Sequence, residues 1–168
     1  MTSPEHEVID RTGWPPGPWD DEPDRVDFPK LSGFPAFALR SPQGNWCGYV
    51  GVPAGHPCYR RGYEGEYYGE ADEHGENLPD PVGGLEVHGG ITYTNQCEGR
   101  ICHVPEPGEP DDIWWLGFDC GHAGDLTLAM LKFGEMSFLS RHAQYRDIAY
   151  VRAECESLAT QLAELVRA

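Results

Sequence analysis

Near the end of the chain, apolar residues recur at steps of three and four: Ile148, Val151, Cys155, Leu158, Leu162 and Leu165. That spacing draws one apolar stripe along a helix and predicts it over residues 147–166. Glu154, Glu156, Gln161 and Glu164 fall on its other faces. Asp147 lies in the expected first turn, where a negative charge complements the helix dipole. Elsewhere the pattern is strand-like. Trp46, Cys47, Tyr49, Val50 and Val52 predict a strand that Pro53 stops. The run LEVHGGITYT at 85–94 predicts a second core strand. Its Gly89-Gly90 pair marks a bulge, or a point where another group comes close to the backbone. The segment 113–118, IWWLGF, is apolar almost throughout and reads as a central strand covered on both faces. A short strand is expected around 36–39, and 125–133 fits either helix or strand. The helix stripe needs an apolar partner, and the strands supply one. The expected fold is therefore α+β: a small, mainly antiparallel sheet with a long C-terminal helix packed on one face.

Composition refines this picture. At 168 residues one domain is expected, and the 21 glycines and 15 prolines oppose an all-helical bundle. Residues 1–30 hold six prolines among eight acids and read as an acidic arm, extended or partly disordered. Trp14, Trp19 and Phe28 are its candidates for packing onto the rest. Residues 31–168 read as the single globular domain, interrupted by a polar loop at 60–82 that is long for a compact fold.

The net charge of -16 repels phosphate backbones and disfavours direct nucleic-acid binding. Twenty of the 28 carboxylates lie in 1–30, 60–86 and 105–112, which reads as a solvated surface. The sharper alternative is an acidic mimic that occupies a basic host surface. The N-terminus lacks a basic and an apolar signal region, and no apolar run approaches the roughly 20 residues of a membrane span. The expectation is a cytoplasmic protein whose six cysteines are reduced thiols. Cys97, Cys102 and His103 form a weak zinc pattern, because no second pair accompanies them.

Three segments place a polar side chain in a glycine-rich turn after a strand: GVPAGHPCY with His56, VHGG with His88, and FDCGHAGD with Asp119, His122 and Asp125. Turns on a rigid sheet can hold reactive groups at fixed spacing. A carboxylate beside a histidine fixes its tautomer and raises its basicity, so this set suits a general base. The same residues are N/O donors suited to a divalent metal that activates water. The candidate catalytic and metal-ligating residues are accordingly His88, Asp119 and His122. His56, Gly89, Gly90, Trp115 and Asp125 are candidates for ligand binding. Plainer roles stand beside these: Asp125 capping a short helix, Asp119 closing a turn, His88 as a satisfied core histidine, His56 as a turn residue. Cys120 is a further candidate nucleophile beside His122. His6, His74, His103 and His142 read as surface residues.

The blocks WCGYVGVPAGHPCY, VHGGITY, WWLGFDCGHAGD and YRDIAYVRAECESLATQL together resemble a group of small phage- and prophage-encoded proteins of uncharacterised function. The resemblance implies a phage-type protein acting in the host cytoplasm and assigns no catalytic residue. Three function classes follow. The first is a hydrolase, with a divalent metal as candidate cofactor, acting on a small polar or nucleotide-like molecule. The second is a non-catalytic protein that sequesters a small ligand. The third is an acidic antagonist of a host protein.

Overall fold

The computed structural model describes residues 8–68, 80–132 and 138–168, of which 138 and 139 are described by their backbone only. Five strands form one antiparallel sheet: β1 (Arg25–Leu31), β2 (Phe34–Arg40), β3 (Trp46–Pro53), β4 (Tyr93–Gln96) and β5 (Ile113–Asp119). Their order across the sheet is β1-β2-β3-β5-β4. A 3-10 turn (Leu128–Leu131) and a short helix α1 (Phe138–His142) lead to the long helix α2 (Ile148–Arg167). The α+β expectation is borne out.

Alternation along the central strands explains the two layers. Trp46, Val50 and Val52 of β3 and Trp114, Leu116 and Phe118 of β5 share one face with Val151, Cys155, Leu158 and Leu162 of α2. Burying each branched aliphatic side chain there stabilises the fold by about 1.5–3 kcal/mol. Gly48 lets the helix approach: a Cβ at that position would stand 2.5 Å from the Phe118 ring and 2.7 Å from the Cys155 Sγ. The opposite face carries Phe37, Leu39, Tyr49, Ile113 and Trp115, flanked by Cys47, Tyr93 and Ile101. β5 is thus covered on both faces, as its unbroken apolar run requires. Asp147 does more for α2 than complement a dipole. It is the N-cap residue, and its carboxylate accepts from the Tyr150 N–H at 2.8 Å.

Several expectations change. The boundary placed at residue 30 falls inside β1, an edge strand where Pro29 removes no ladder bond the sheet needs. From residue 8 onward the arm lies on the globule, with Ile9 and Trp19 buried. Residues 1–7, including His6, lie outside the described residues. Of the strand read over 85–94 only Tyr93 and Thr94 are in a strand, at the start of β4. Upstream, the Glu86 and His88 amides donate to the side chains of Gln161 and Glu154 on α2, so they are not available to a ladder. Of the 60–82 loop, residues 60–68 fold back on themselves through an Arg61–Tyr67 bridge. Residues 69–79, with His74, lie outside the described residues, as does Phe133 at the end of the ambiguous 125–133 segment.

The cysteine reading also changes. A tight turn, closed by a Glu98–Ile101 bridge, brings the Cα atoms of Cys97 and Cys102 to 4.7 Å, and the two form a disulfide. This corrects the expectation of six reduced thiols and removes the zinc pattern. Cys47, Cys58, Cys120 and Cys155 are free. Among the described residues no helix is long and apolar enough to cross a membrane.

Candidate functional site

β5 ends at Asp119, and the chain then turns back on itself, the Asp125 N–H donating to the His122 carbonyl at 3.0 Å. The Leu126 N–H donates to the Gln144 carbonyl and the Gln144 N–H to the Gly124 carbonyl, both at 2.8 Å, which ties this turn to the segment that precedes α2. The 85–92 loop reaches this turn through His88, which bonds Asp125, and α2 reaches His88 through Tyr150 and Glu154. Three separate pieces of chain therefore meet at one end of the sheet.

Asp125 is the centre of the meeting. It is 2% exposed, and both carboxylate oxygens are engaged. Oδ2 lies 2.7 Å from His88 Nε2 and accepts from the His122 N–H at 3.1 Å, while Oδ1 accepts from Arg146 Nε at 3.0 Å. Burial works to raise this carboxyl's pKa. The hydrogen bonds from His88, Arg146 and the His122 amide outweigh it and hold the group below its ordinary range. The other ring nitrogen of His88 lies 2.8 Å from the Tyr150 hydroxyl, and its backbone N–H donates to Glu154 at 2.7 Å. The neutral tautomer that satisfies this geometry carries its hydrogen on Nε2, which donates to Asp125, while Nδ1 accepts from the Tyr150 hydroxyl.

His122 is held differently. Its ring packs onto Gly89, where a Cβ would fall 2.3 Å from a ring carbon, and Gly89 has φ +68. Here the sequence expectation of a close approach at Gly89-Gly90 finds its cause: the approaching group is the His122 imidazole. Gly90, with φ +81, faces open space. His122 Nδ1 is buried and makes no hydrogen bond; its nearest ionic neighbour is Asp119 Oδ1 at 3.5 Å. Asp119 accepts from the Gly121 N–H and the Thr92 hydroxyl, both at 2.9 Å, so it closes its turn as well as flanking His122. The His88 and His122 rings are 6.0 Å apart.

One nitrogen of each histidine and one oxygen of Asp125 lie within 4.8 Å of one another, a set that could hold a metal ion. The structure therefore brings His88 and His122 together as expected, and puts Asp125 rather than Asp119 between them. Asp125 is no helix cap: the residue preceding the 3-10 turn is Thr127. Two other candidates lie elsewhere. His56 is buried under α2, where Nε2 contacts the Leu162 carbonyl at 2.9 Å and Nδ1 accepts from the Cys58 N–H. Burial also pushes its pKa down, so it is a neutral structural group. Trp115 is fully buried in the face away from α2, four positions before Asp119. Cys120 is buried as well, and desolvation together with the nearby Asp125 charge pushes its thiol pKa far up, which removes it as a nucleophile. His103 is half-buried against the Trp115 ring rather than free on the surface.

Tyr150, Glu154 and Arg146 were missed by sequence reasoning. A signal existed for two of them: Tyr150 and Glu154 stand four residues apart, on one flank of the predicted helix beside its apolar stripe.

Comparison of the chain with protein-family models, with curated proteins and with solved structures finds no match. Fold and site define an α+β protein that carries a His/Asp cluster at one end of an antiparallel sheet.

Proposed function

We propose that this is a metal-assisted hydrolase of the phage type, acting on a small polar or nucleotide-like molecule, with His88, His122 and Asp125 as the ligands of a divalent metal. The carrying observation is the convergence of these three donors within 4.8 Å around a carboxylate kept ionised in a buried position. Each donor has a partner outside the set, as ligating residues commonly do. Tyr150 meets the second nitrogen of His88, Arg146 holds the second oxygen of Asp125, and Asp119 flanks His122. Two histidines and a carboxylate suit zinc or manganese and leave coordination positions for water and substrate. When bound, the metal supplies Lewis-acid activation of water and of the scissile group. Asp119, 34% exposed beside His122, would take a proton from the attacking water.

The test begins with chelator-treated protein, titrated with zinc or manganese and then assayed against a panel of nucleotides and phosphate or carboxylic esters. Stoichiometric binding and metal-dependent turnover are expected, both lost in His122→Ala. Absence of stoichiometric binding by either metal contradicts the proposal.

A further inference from the structure

A second candidate site lies on the sheet face away from α2. There the ends of β2, β3 and β4 and the disulfide-closed turn surround a cleft of about 320 Å³, a size within the range of small-molecule pockets. Leu39, Cys47, Tyr49, Tyr93 and Ile101 make its walls largely apolar, and Glu98 and Arg100 stand on the turn. The Tyr49 and Tyr93 rings meet edge to face at 88° with centroids 5.6 Å apart, Tyr49 being buried and stacked on Phe37.

Three features indicate what would occupy it. First, the cover is held in place. Arg25 donates to the carbonyls of Arg100 and Cys102 at 2.9 and 2.7 Å, and the Cys97–Cys102 bridge closes the turn between them. A preformed cover lowers the ordering cost of binding. Second, Tyr93 carries a buried hydroxyl with no hydrogen bond. An unsatisfied buried hydroxyl destabilises a fold unless something else uses it. Third, the charges lining the cleft are balanced, Glu98 against Arg100 on the turn and Arg40 against Glu22 and Asp24, so it offers a net-charged ligand no compensation for desolvation.

We propose that this cleft binds a neutral, flat heteroaromatic ring of nucleobase size, packed against Tyr93 and accepting a hydrogen bond from the Tyr93 hydroxyl. The proposal does not rest on the metal reading. The two sites nevertheless adjoin, since Cys47 pairs in register with Asp119, which stands 3.5 Å from His122.

The experiment is a calorimetric titration of metal-free protein with adenine and uracil, with benzoate and benzylamine as charged rings of similar size. Saturable binding of a base and none of the charged rings is expected. Tyr93→Phe should weaken base binding about tenfold, the effect of one lost hydrogen bond in a dry site. The same variant should raise the melting temperature of the free protein, because an unsatisfied group is gone. Ile101→Trp, which fills the cleft, should abolish binding, and His122→Ala should leave it unchanged. Failure of both bases to bind overturns the proposal, as does a preference for benzoate or benzylamine. Base affinity unaltered by Tyr93→Phe and by Ile101→Trp also overturns it. Loss of metal binding in His122→Ala with base binding retained separates the fate of this site from that of the metal centre.

Discussion

Two buried carboxylates anchor the start of α2, and they are built alike up to a point. Glu22, on the N-terminal arm, receives Arg40 at 2.8 Å, the Trp46 indole N–H at 3.1 Å and the Tyr145 hydroxyl. Asp125 receives Arg146, His88 and a backbone amide. Burial works to raise both carboxyl pKa values, yet hydrogen bonding carries both below their ordinary ranges. The difference lies in the partners. Those of Glu22 are a fully buried arginine and two aromatic groups, none of which binds metals or titrates near neutrality. Asp125 bonds the His88 imidazole and the His122 backbone amide, and the His122 ring beside them keeps an unbonded nitrogen and is 35% exposed. The first network, tied further by the Arg40 Nε–Asp24 ion pair at 3.2 Å, fastens the arm. The second has imidazole nitrogens gathered beside its carboxylate and so has donors for a ligand.

The largest expected effect breaks the fastening. Arg40→Met leaves a buried carboxylate without its cation and should cost about 3–5 kcal/mol in denaturant unfolding. Metal affinity should be untouched. Asp125→Asn should cost less, about 1–3 kcal/mol, because Arg146 is partly exposed and can turn to water. This variant should nevertheless lose metal binding, checked by titration of the folded protein.

Acid should act on both networks. A carboxyl whose pKa is lower folded than unfolded contributes stability that is fully present above the unfolded value and lost as pH falls through the folded one. The urea midpoint should therefore decline once pH drops below the ordinary values of 4.5 for Glu22 and 3.8 for Asp125. The decline should be shallower in Arg40→Met. A midpoint that rises on acidification would contradict this assignment.

Gly89→Ala places a Cβ both at positive φ and against the His122 ring. It should cost about 1–2 kcal/mol and weaken metal binding by displacing that ring. The smallest stability effect belongs to His122→Ala, within about 0.5 kcal/mol, since the ring is partly exposed and its Nδ1 bonds nothing. If His122→Ala destabilised as much as Asp125→Asn, the histidine would be part of the fastening and the contrast between the networks would fail.

What was readable in the sequence follows from local physics. The stripe from Ile148 to Leu165 and the apolar run at 113–118 announce α2 and β5 because burial pattern alone decides them. Gly89 announces a close contact because only glycine tolerates it. What escaped depends on partners distant in the chain. Asp119 and Asp125 are equivalent as letters flanking His122, and only the meeting with His88 and Arg146 distinguishes them. The 85–94 run lost most of its strand to side chains 66 and 75 residues away. The arm read as loose because its composition hides the Glu22–Arg40 pair. His56 and Trp115 sat in turn and strand patterns that fit a site equally well, and burial assigns both to the core. The disulfide was set aside on an argument about compartment, while the turn at 97–102 decided it by geometry.

The central claim is that the Asp125 network has room for a ligand and the Glu22 network does not. Elemental analysis of protein purified without affinity metals, then zinc titration of wild type, His122→Ala and Glu22→Gln, tests it most directly. One equivalent of metal bound by wild type and by Glu22→Gln, with binding lost in His122→Ala, is the expected result. Equal binding by all three proteins, or none by wild type, would contradict it.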